Sequence, residues 1–213
     1  MYKNNQIPKQ ARCLICHEPI YKTISLSTLV NPQNICINCY KQFKVLNTKT
    51  TLSSYPITIL YDYDDFYKSL LYQYKGLYDY PLKDAFFSFS KDFITYYYKD
   101  YIVIPAPSSI EDNQKRGFKP VYEIAKTLNL PVYDCIYKKI HYKQSDLTYK
   151  ERQDVKSKLG INNGELLKGK KVLILDDVLT TGSTLKACSS LVQNYNPQKI
   201  EILALSRVNH GAQ

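Results

Sequence analysis

The alternation of apolar and polar positions divides the second half of the chain into short strands and helices. Short apolar runs, typical of buried strands, are separated by segments in which apolar residues recur at helical spacing. The predicted strands are Tyr101–Ile104, Val132–Tyr137, Lys171–Leu175 and Lys199–Ser206, and the predicted helices are Phe118–Leu128 and Ser183–Asn194. This alternation predicts an α/β fold with a twisted, mostly parallel sheet flanked by helices. Ligands of such sheets bind at the carboxyl ends of the strands.

The first half of the chain is less regular. A strand is predicted over Pro56–Tyr63, and a helix over Asp64–Tyr74, with an aspartate as its N-cap and Gly76 as its end. A second helix with a Phe-rich face is predicted over Lys83–Tyr98. The polar stretch Lys44–Ser54 is interpreted as a linker.

Length and composition fit one ordinary domain with a small appendage. The chain has 213 residues and is 44% hydrophobic and 23% charged, which is normal for a globular protein. We predict a module at residues 1–50 and a domain at residues 51–213, in which residues 51–100 supply hood or entry elements and residues 101–213 the core. The sequence has neither an apolar stretch long enough to span a membrane nor the apolar run of a signal peptide, so it predicts a cytoplasmic protein.

Positive charge is concentrated near the N-terminus. The net charge is +10, and the first fifty residues hold seven Lys and Arg against one acidic residue, Glu18. A basic module suits a phosphate-rich partner such as nucleic acid, but a merely soluble basic surface gives the same pattern. The run Tyr96–Tyr98 can stack on nucleic-acid bases, although a compositional bias that yields 21 tyrosines explains it more simply.

Four cysteines predict a metal site in the N-terminal module. Two residues separate Cys13 from Cys16, two separate Cys36 from Cys39, and nineteen lie between the pairs. Each pair places two thiolates on one tight turn, and together the pairs complete a tetrahedral site that suits Zn²⁺. A site with four protein ligands is closed, so we interpret it as structural. The metal would supply much of the folding free energy of so short a segment.

The segment Val172–Leu185 carries the clearest chemistry. Four apolar residues form a buried strand, Asp176 and Asp177 follow at its carboxyl end, and a hydroxyl-rich loop leads into a helix. N–H groups at a helix N-terminus bind phosphate, and the two carboxylates can accept hydrogen bonds from adjacent sugar hydroxyls. The segment therefore predicts a site for a 5-phosphorylated ribose. The loop that would hold the phosphate consists of Thr180, Thr181, Gly182, Ser183 and Thr184.

This segment resembles the signature of type I phosphoribosyltransferases, and the order of features along the chain resembles the ComF family. Members of that family place a four-cysteine zinc module before a transferase domain. Outside the phosphate loop, the stretches that carry the resemblance are Leu70–Tyr80, Val103–Pro107, Arg116–Phe118 and Lys143–Arg152. The resemblance implies a type I phosphoribosyltransferase fold behind a zinc-ribbon-like module.

The resemblance also implies how the site residues act. The acidic pair would hold the ribose 2′ and 3′ hydroxyls of phosphoribosyl pyrophosphate, the loop would hold its 5′-phosphate, and Mg²⁺ would accompany the pyrophosphate. Lys115 and Arg116 become candidates for binding the pyrophosphate. The polar stretch Lys143–Lys158 becomes a candidate lid, with Arg152 as its cation. No residue is singled out as a general base, and nothing identifies the acceptor.

Two functions are compatible with the sequence. One is an active phosphoribosyltransferase of unknown acceptor, and the other is a non-catalytic nucleic-acid or partner-binding module that retains the sugar-phosphate site. The ComF resemblance implies a role in DNA uptake during natural transformation. Its expected partners are single-stranded DNA and a helicase-like protein at the inner face of the membrane.

Overall fold

A computed structural model describes residues 11–20, 33–139 and 159–209. Its strands are β1 (Val45–Leu52), β2 (Tyr55–Asp62), β3 (Tyr101–Pro105), β4 (Ile136–Lys138), β5 (Leu159–Ile161), β6 (Lys171–Leu179) and β7 (Lys199–Arg207). Its helices are α1 (Ile37–Tyr40), α2 (Asp65–Lys75), α3 (Lys91–Tyr97), α4 (Ile110–Arg116), α5 (Pro120–Lys126) and α6 (Ser183–Gln193). Two 3₁₀ helices lie at Tyr80–Asp84 and Gly164–Leu167. None of the helices described here is long and apolar enough to cross a membrane.

A five-stranded sheet in the order β1-β2-β7-β6-β3 forms the centre of the fold. β2, β7, β6 and β3 are parallel, and β1 pairs antiparallel with β2 at one edge. A separate antiparallel ladder joins β4 and β5. The sheet confirms the predicted α/β fold, and it brings the carboxyl ends of four strands to one edge.

Both faces of the sheet are covered, as the apolar runs of its strands require. Along β6, Leu173 and Leu175 face a core built with α2, α5 and the segment around Phe86. Val172 and Ile174 face a second core that includes α6. All four side chains are fully buried, which explains why this strand has no polar alternation before Asp176.

The four-cysteine module packs against the first of these cores. Phe43 lies 4.9 Å from the ring of Tyr61 and 5.1 Å from that of Phe66 between ring centroids. Tyr40 stacks on Phe89 at 4.1 Å. The module therefore shares its apolar contacts with the α/β domain.

Helix α2 follows the sequence prediction closely. The Asp64 carboxylate accepts a hydrogen bond from the Tyr67 N–H over 3.0 Å, which caps the helix. Leu70, Leu71 and Tyr74 are buried at helical spacing. Gly76 follows the last residue, Lys75, and its N–H bonds to the Tyr72 carbonyl. The cap and the end thus fix the position of Lys75.

The linker predicted over Lys44–Ser54 is wrong, because β1 occupies most of it. β1 is an edge strand whose side chains are only half-buried or exposed, so solvent permits the polar residues that made the stretch look like a linker. The strand also passes through residue 50, where the module was predicted to end.

Two other predicted elements are shorter than expected. Of the helix predicted over Lys83–Tyr98, only Lys91–Tyr97 is α-helical, because Phe86 and Phe87 are both buried in consecutive turns that precede it. Of the strand predicted over Val132–Tyr137, only its last two residues pair, in the β4–β5 ladder, while Val132 makes a single bridge to Val103.

Helix α4 has no counterpart in the sequence prediction. It buries none of its residues, so it shows no apolar periodicity. Its signals are local: the Ser109 hydroxyl accepts from the Asp112 N–H at 3.4 Å, and Gly117 ends the helix with a φ of 78°. The candidate lid and Arg152 lie outside the described residues.

Candidate functional site

Asp176 and Asp177 lie near the carboxyl end of β6, at the sheet edge where ligands of parallel sheets bind. Asp177 is only 6% exposed. Its N–H donates to Asp176 Oδ1 over 2.9 Å, and its carbonyl oxygen accepts from the Ser206 hydroxyl over 2.9 Å. Strand β7 thus fixes the backbone of the acidic pair.

The buried Asp177 carboxylate forms an ion pair with Lys75 at the end of α2. The Lys75 side chain is 29% exposed and that of Asp177 is 9% exposed. Asp177 Oδ2 accepts no further hydrogen bond among the described residues. Lys75 is therefore the main compensation for a carboxylate that water barely reaches.

Asp176 titrates unusually for an aspartate. Burial and, second to it, the negative charge of Asp177 raise its pKa to about 7, against the opposing effects of the Asp177 N–H, Lys75 and Lys138. The half-buried Asp176 and the buried Asp177 repel each other, so one of them retains its proton to a higher pH. A ligand that brings hydroxyl donors or a cation to this site favours the ionised pair.

The hydroxyl-rich loop leads directly into α6. Gly182 has a φ of 73° and precedes the first helical residue, Ser183. The Ser183 N–H and hydroxyl both bond to the Thr181 hydroxyl, over 3.4 and 3.2 Å. Thr180, Thr181 and Ser183 are exposed. The helix N-terminus therefore presents N–H and hydroxyl groups to solvent beside the acidic pair, as an anion site requires.

The acidic pair and the start of α6 open onto one cleft of about 290 Å³. Asp176, Asp177 and Thr184 line it. Arg116 on α4 and Ser108 in the turn after β3 line it as well. The structure thus brings together carboxylates, a helix N-terminus and a guanidinium group that the sequence spreads over about seventy residues.

Arg116 suits an anionic ligand because its hydrogen-bonding capacity is not used up. Its Nε atom is buried and has no hydrogen-bond partner within the described part of the chain. Its Nη1 lies 3.4 Å from Asn113 Oδ1, a long contact. Lys115, predicted alongside it, is exposed and does not line the cleft, because consecutive helix residues point in directions about 100° apart.

A second cavity, of about 560 Å³, adjoins the first, and Lys75 and Arg116 line both. Its other walls include Tyr63, Lys68 and Tyr72. Sequence reasoning missed the role of Lys75, although the residue stands in a stretch that resembles the ComF family. The shared residues make this cavity a candidate place for an acceptor.

The four predicted cysteine ligands converge. The Sγ atoms of Cys13, Cys16, Cys36 and Cys39 all lie within 4.8 Å of one another, and those of Cys16 and Cys36 are 3.7 Å apart. Zinc–sulfur bonds of about 2.3 Å in a tetrahedron place sulfur atoms about 3.8 Å apart. The cluster therefore has the geometry of a structural zinc site.

Backbone hydrogen bonds support the same conclusion. The Cys36 N–H donates to Cys13 Sγ over 3.2 Å, and the Cys39 N–H donates to Cys36 Sγ over 3.4 Å. Burial opposes ionisation of Cys13, but N–H donors outweigh it and lower its pKa to about 7. The surroundings of Cys13 thus favour the thiolate that a metal binds, whereas burial and the neighbouring thiols raise the pKa of Cys39 when no metal is bound.

Comparison with known proteins agrees with this geometry. Residues 114–213 match the model of the phosphoribosyl transferase domain. The chain is 23% identical to Competence protein ComFC of Streptococcus pneumoniae, over 92% of this chain and 100% of that protein. It is 30% identical to Competence protein ComFC of Bacillus subtilis, over 59% of this chain and 53% of that protein.

Solved structures of phosphoribosyltransferases also match. A hypoxanthine phosphoribosyltransferase from Staphylococcus aureus is 14% identical, with a TM-score of 0.37 over 68% of this chain and 77% of that chain. Residues 114–213 thus carry a phosphoribosyl transferase domain, behind a four-cysteine cluster. The chain as a whole is similar to the competence proteins of the ComF family.

Proposed function

We propose that the chain binds phosphoribosyl pyrophosphate in the cleft between β6 and α4. The observation that carries the proposal is the meeting of the acidic pair with Thr184, in the first turn of α6, in one cleft. Asp176 and Asp177 accept hydrogen bonds from the ribose hydroxyls. Residues 180–184 receive the 5′-phosphate, which the helix dipole stabilises.

Arg116 fits the pyrophosphate, because it lines the same cleft as the acidic pair and its buried Nε–H is an unsatisfied donor. A guanidinium group binds phosphate oxygens in pairs. Mg²⁺ bound with the ligand would neutralise part of the pyrophosphate charge. Lys75 lines the cleft and the adjoining cavity, so its ammonium group can serve both.

In a transfer reaction, an acceptor nitrogen attacks the anomeric carbon of the ribose while pyrophosphate leaves with its bonding electrons. Charge builds on the leaving group, so Arg116 stabilises the transition state more than the ground state. The cavity beside Tyr63 and Tyr72 would hold the acceptor. Its lining does not by itself select one acceptor class.

We place this function in DNA uptake, since two relatives that match the chain are named Competence protein ComFC. The first of them is covered along its whole length. Reduced cysteines in a zinc site suit a cytoplasmic setting. A non-catalytic role for the same sugar-phosphate site remains the alternative, and release of pyrophosphate in the presence of an acceptor distinguishes the two.

The proposal is tested by changing Asp176→Ala and Asp177→Ala together and measuring the Kd for phosphoribosyl pyrophosphate with Mg²⁺. A hydrogen bond to a charged group contributes about 1.5–3 kcal/mol, so we expect a loss of at least about tenfold. Glu165→Ala removes an exposed carboxylate elsewhere and serves as the control. Unchanged affinity in a folded double variant would refute the assignment of the acidic pair.

A further inference from the structure

Helix α3 exposes its aromatic side chains instead of burying them. Phe93, Tyr96 and Tyr97 are 69%, 74% and 46% exposed, and the first two are the most exposed large hydrophobic side chains in the described part of the chain. The opposite face of the helix is buried normally through Ile94, with Tyr98 following it. An amphipathic helix usually places polar residues at the exposed positions, so this face requires an explanation.

The exposed rings are arranged in register and flanked by cations. Phe93 and Tyr97 are one helical turn apart, with centroids 6.1 Å apart and planes inclined by only 25°. Lys49 Nζ lies 4.8 Å from the centroid of Tyr97, and Lys99 Nζ lies 5.4 Å from that of Tyr96. We call these five residues the aromatic surface.

The acidic neighbours do not neutralise this surface. The Asp100 carboxylate lies 3.8 Å from Lys171 Nζ, so its charge is shared with another lysine. Asp92 lines a separate cavity, next to Phe89 and Thr127. The ammonium groups of Lys49 and Lys99 therefore remain close to the exposed rings, where an anionic ligand that also offers flat apolar faces would meet both.

We propose that the aromatic surface binds single-stranded nucleic acid, with bases stacked on Phe93, Tyr96 and Tyr97 and phosphates beside Lys49 and Lys99. Exposed rings and adjacent cations are the combination that binds single strands without regard to sequence. A purely apolar partner would not use the two ammonium groups. Compositional bias accounts for the number of tyrosines, but it does not account for Phe93 or for the alignment of rings with lysines.

The surface lies away from the cleft with the acidic pair. Tyr98 and Tyr101 connect α3 to the start of β3, with centroids 5.1 Å apart, and Lys49 pairs with Thr58 in the first half of β2. The cleft is at the carboxyl ends of the strands. A single strand on the aromatic surface therefore leaves the sugar-phosphate site open, and this inference stands or fails independently of the proposed phosphoribosyl pyrophosphate binding.

The test is fluorescence anisotropy with a labelled oligothymidylate of about 20 nucleotides, longer than one stacking platform needs. The variant Phe93→Ala with Tyr96→Ala should weaken binding by about 25-fold or more, since each stacked base contributes at least about fivefold. Tyr78→Asn removes a ring that is 49% exposed elsewhere and should leave the Kd unchanged; asparagine tolerates the positive φ at that position.

A second pair of variants tests the cations. Lys49→Ala with Lys99→Ala should reduce the slope of log K against log salt by about 1.4, or about 0.7 for each phosphate contact on a single strand. Lys168→Ala, a change of an exposed lysine elsewhere, should leave the slope unchanged. A duplex of equal length should bind more weakly than the single strand, because its bases are already stacked.

Three results would overturn the inference. The first is wild-type protein that does not bind the oligothymidylate, and the second is a double ring variant that binds it as tightly as wild type. The third is a ring variant whose oligomeric state, measured by sedimentation, differs from wild type while its affinity for the oligothymidylate does not, which would identify the surface as a contact between copies of the chain. A circular dichroism spectrum and a urea unfolding midpoint that match wild type show that the fold of the ring variant is intact.

Discussion

Replacing Lys75 with methionine should destabilise the chain more than replacing its partner Asp177 with asparagine. The two changes break the same ion pair but leave different groups behind. After Lys75→Met, a carboxylate whose side chain is 9% exposed loses its cation. After Asp177→Asn, the lysine that remains is 29% exposed and can turn its ammonium group toward water.

The magnitude follows from this asymmetry. Breaking a buried pair from one side costs about 3–5 kcal/mol, and the partial exposure of Lys75 reduces this to about 2–3 kcal/mol. Asp177→Asn also removes the charge that raises the pKa of Asp176, so its cost should stay within about 1 kcal/mol. The double variant should be about as stable as Asp177→Asn alone, so the coupling energy should equal the cost of Lys75→Met, about 2–3 kcal/mol.

Urea unfolding of the zinc-loaded protein at neutral pH, followed by circular dichroism, measures these differences. Lys68→Met is the matched control, because it removes an exposed lysine from the same helix. The cost of Lys75→Met should shrink near pH 5, where the acidic pair can take up a proton. If Lys75→Met costs no more than Lys68→Met, the ion pair does not stabilise the free site.

Three further predictions concern other parts of the molecule. Gly182→Ala should weaken binding of phosphoribosyl pyrophosphate and lower stability by about 1–2 kcal/mol, because φ is +73° and the new Cβ would lie 2.8 Å from Leu52 Cδ1. Gly169→Ala, at φ +68° with free space, controls for backbone strain alone. Metal analysis should give one zinc per chain, and Cys39→Ser should abolish it and lower the melting temperature. The pKa of Asp176 is raised to about 7 in the folded chain. Its protonated form therefore stabilises the fold fully below about pH 4, the pKa in the unfolded chain, and this contribution is lost as the pH rises to about 7. The variant Asp176→Asn should lack this loss of stability when urea unfolding is measured across that pH range.

The parts of the site that are local in sequence could be predicted from it. The strand, the acidic pair and the hydroxyl-rich loop are contiguous between Val172 and Leu185, and the cysteine pairs are defined by their spacing. The geometry of each of these units is determined by a few consecutive residues. In the structure, the acidic pair lies near the end of β6, the loop leads into α6, and the four cysteines converge.

The parts that depend on distant contacts could not be predicted. Lys75 meets Asp177 across about a hundred residues of sequence, and no periodicity links them. Whether Lys115 or Arg116 lines the cleft depends on how α4 is rotated about its axis. This helix buries none of its residues, so the sequence shows no apolar periodicity from which its rotation could be predicted. β1 looked like a linker because its burial is decided by its place at the edge of the sheet.

The central claim is that the cleft binds phosphoribosyl pyrophosphate, and calorimetric titration of the purified protein with that ligand and Mg²⁺ tests it most directly. The account predicts saturable binding with one site per chain, weaker binding of ribose 5-phosphate, and loss of binding when Asp176 and Asp177 are both replaced by alanine. Absence of heat from correctly folded, zinc-loaded protein would contradict the account.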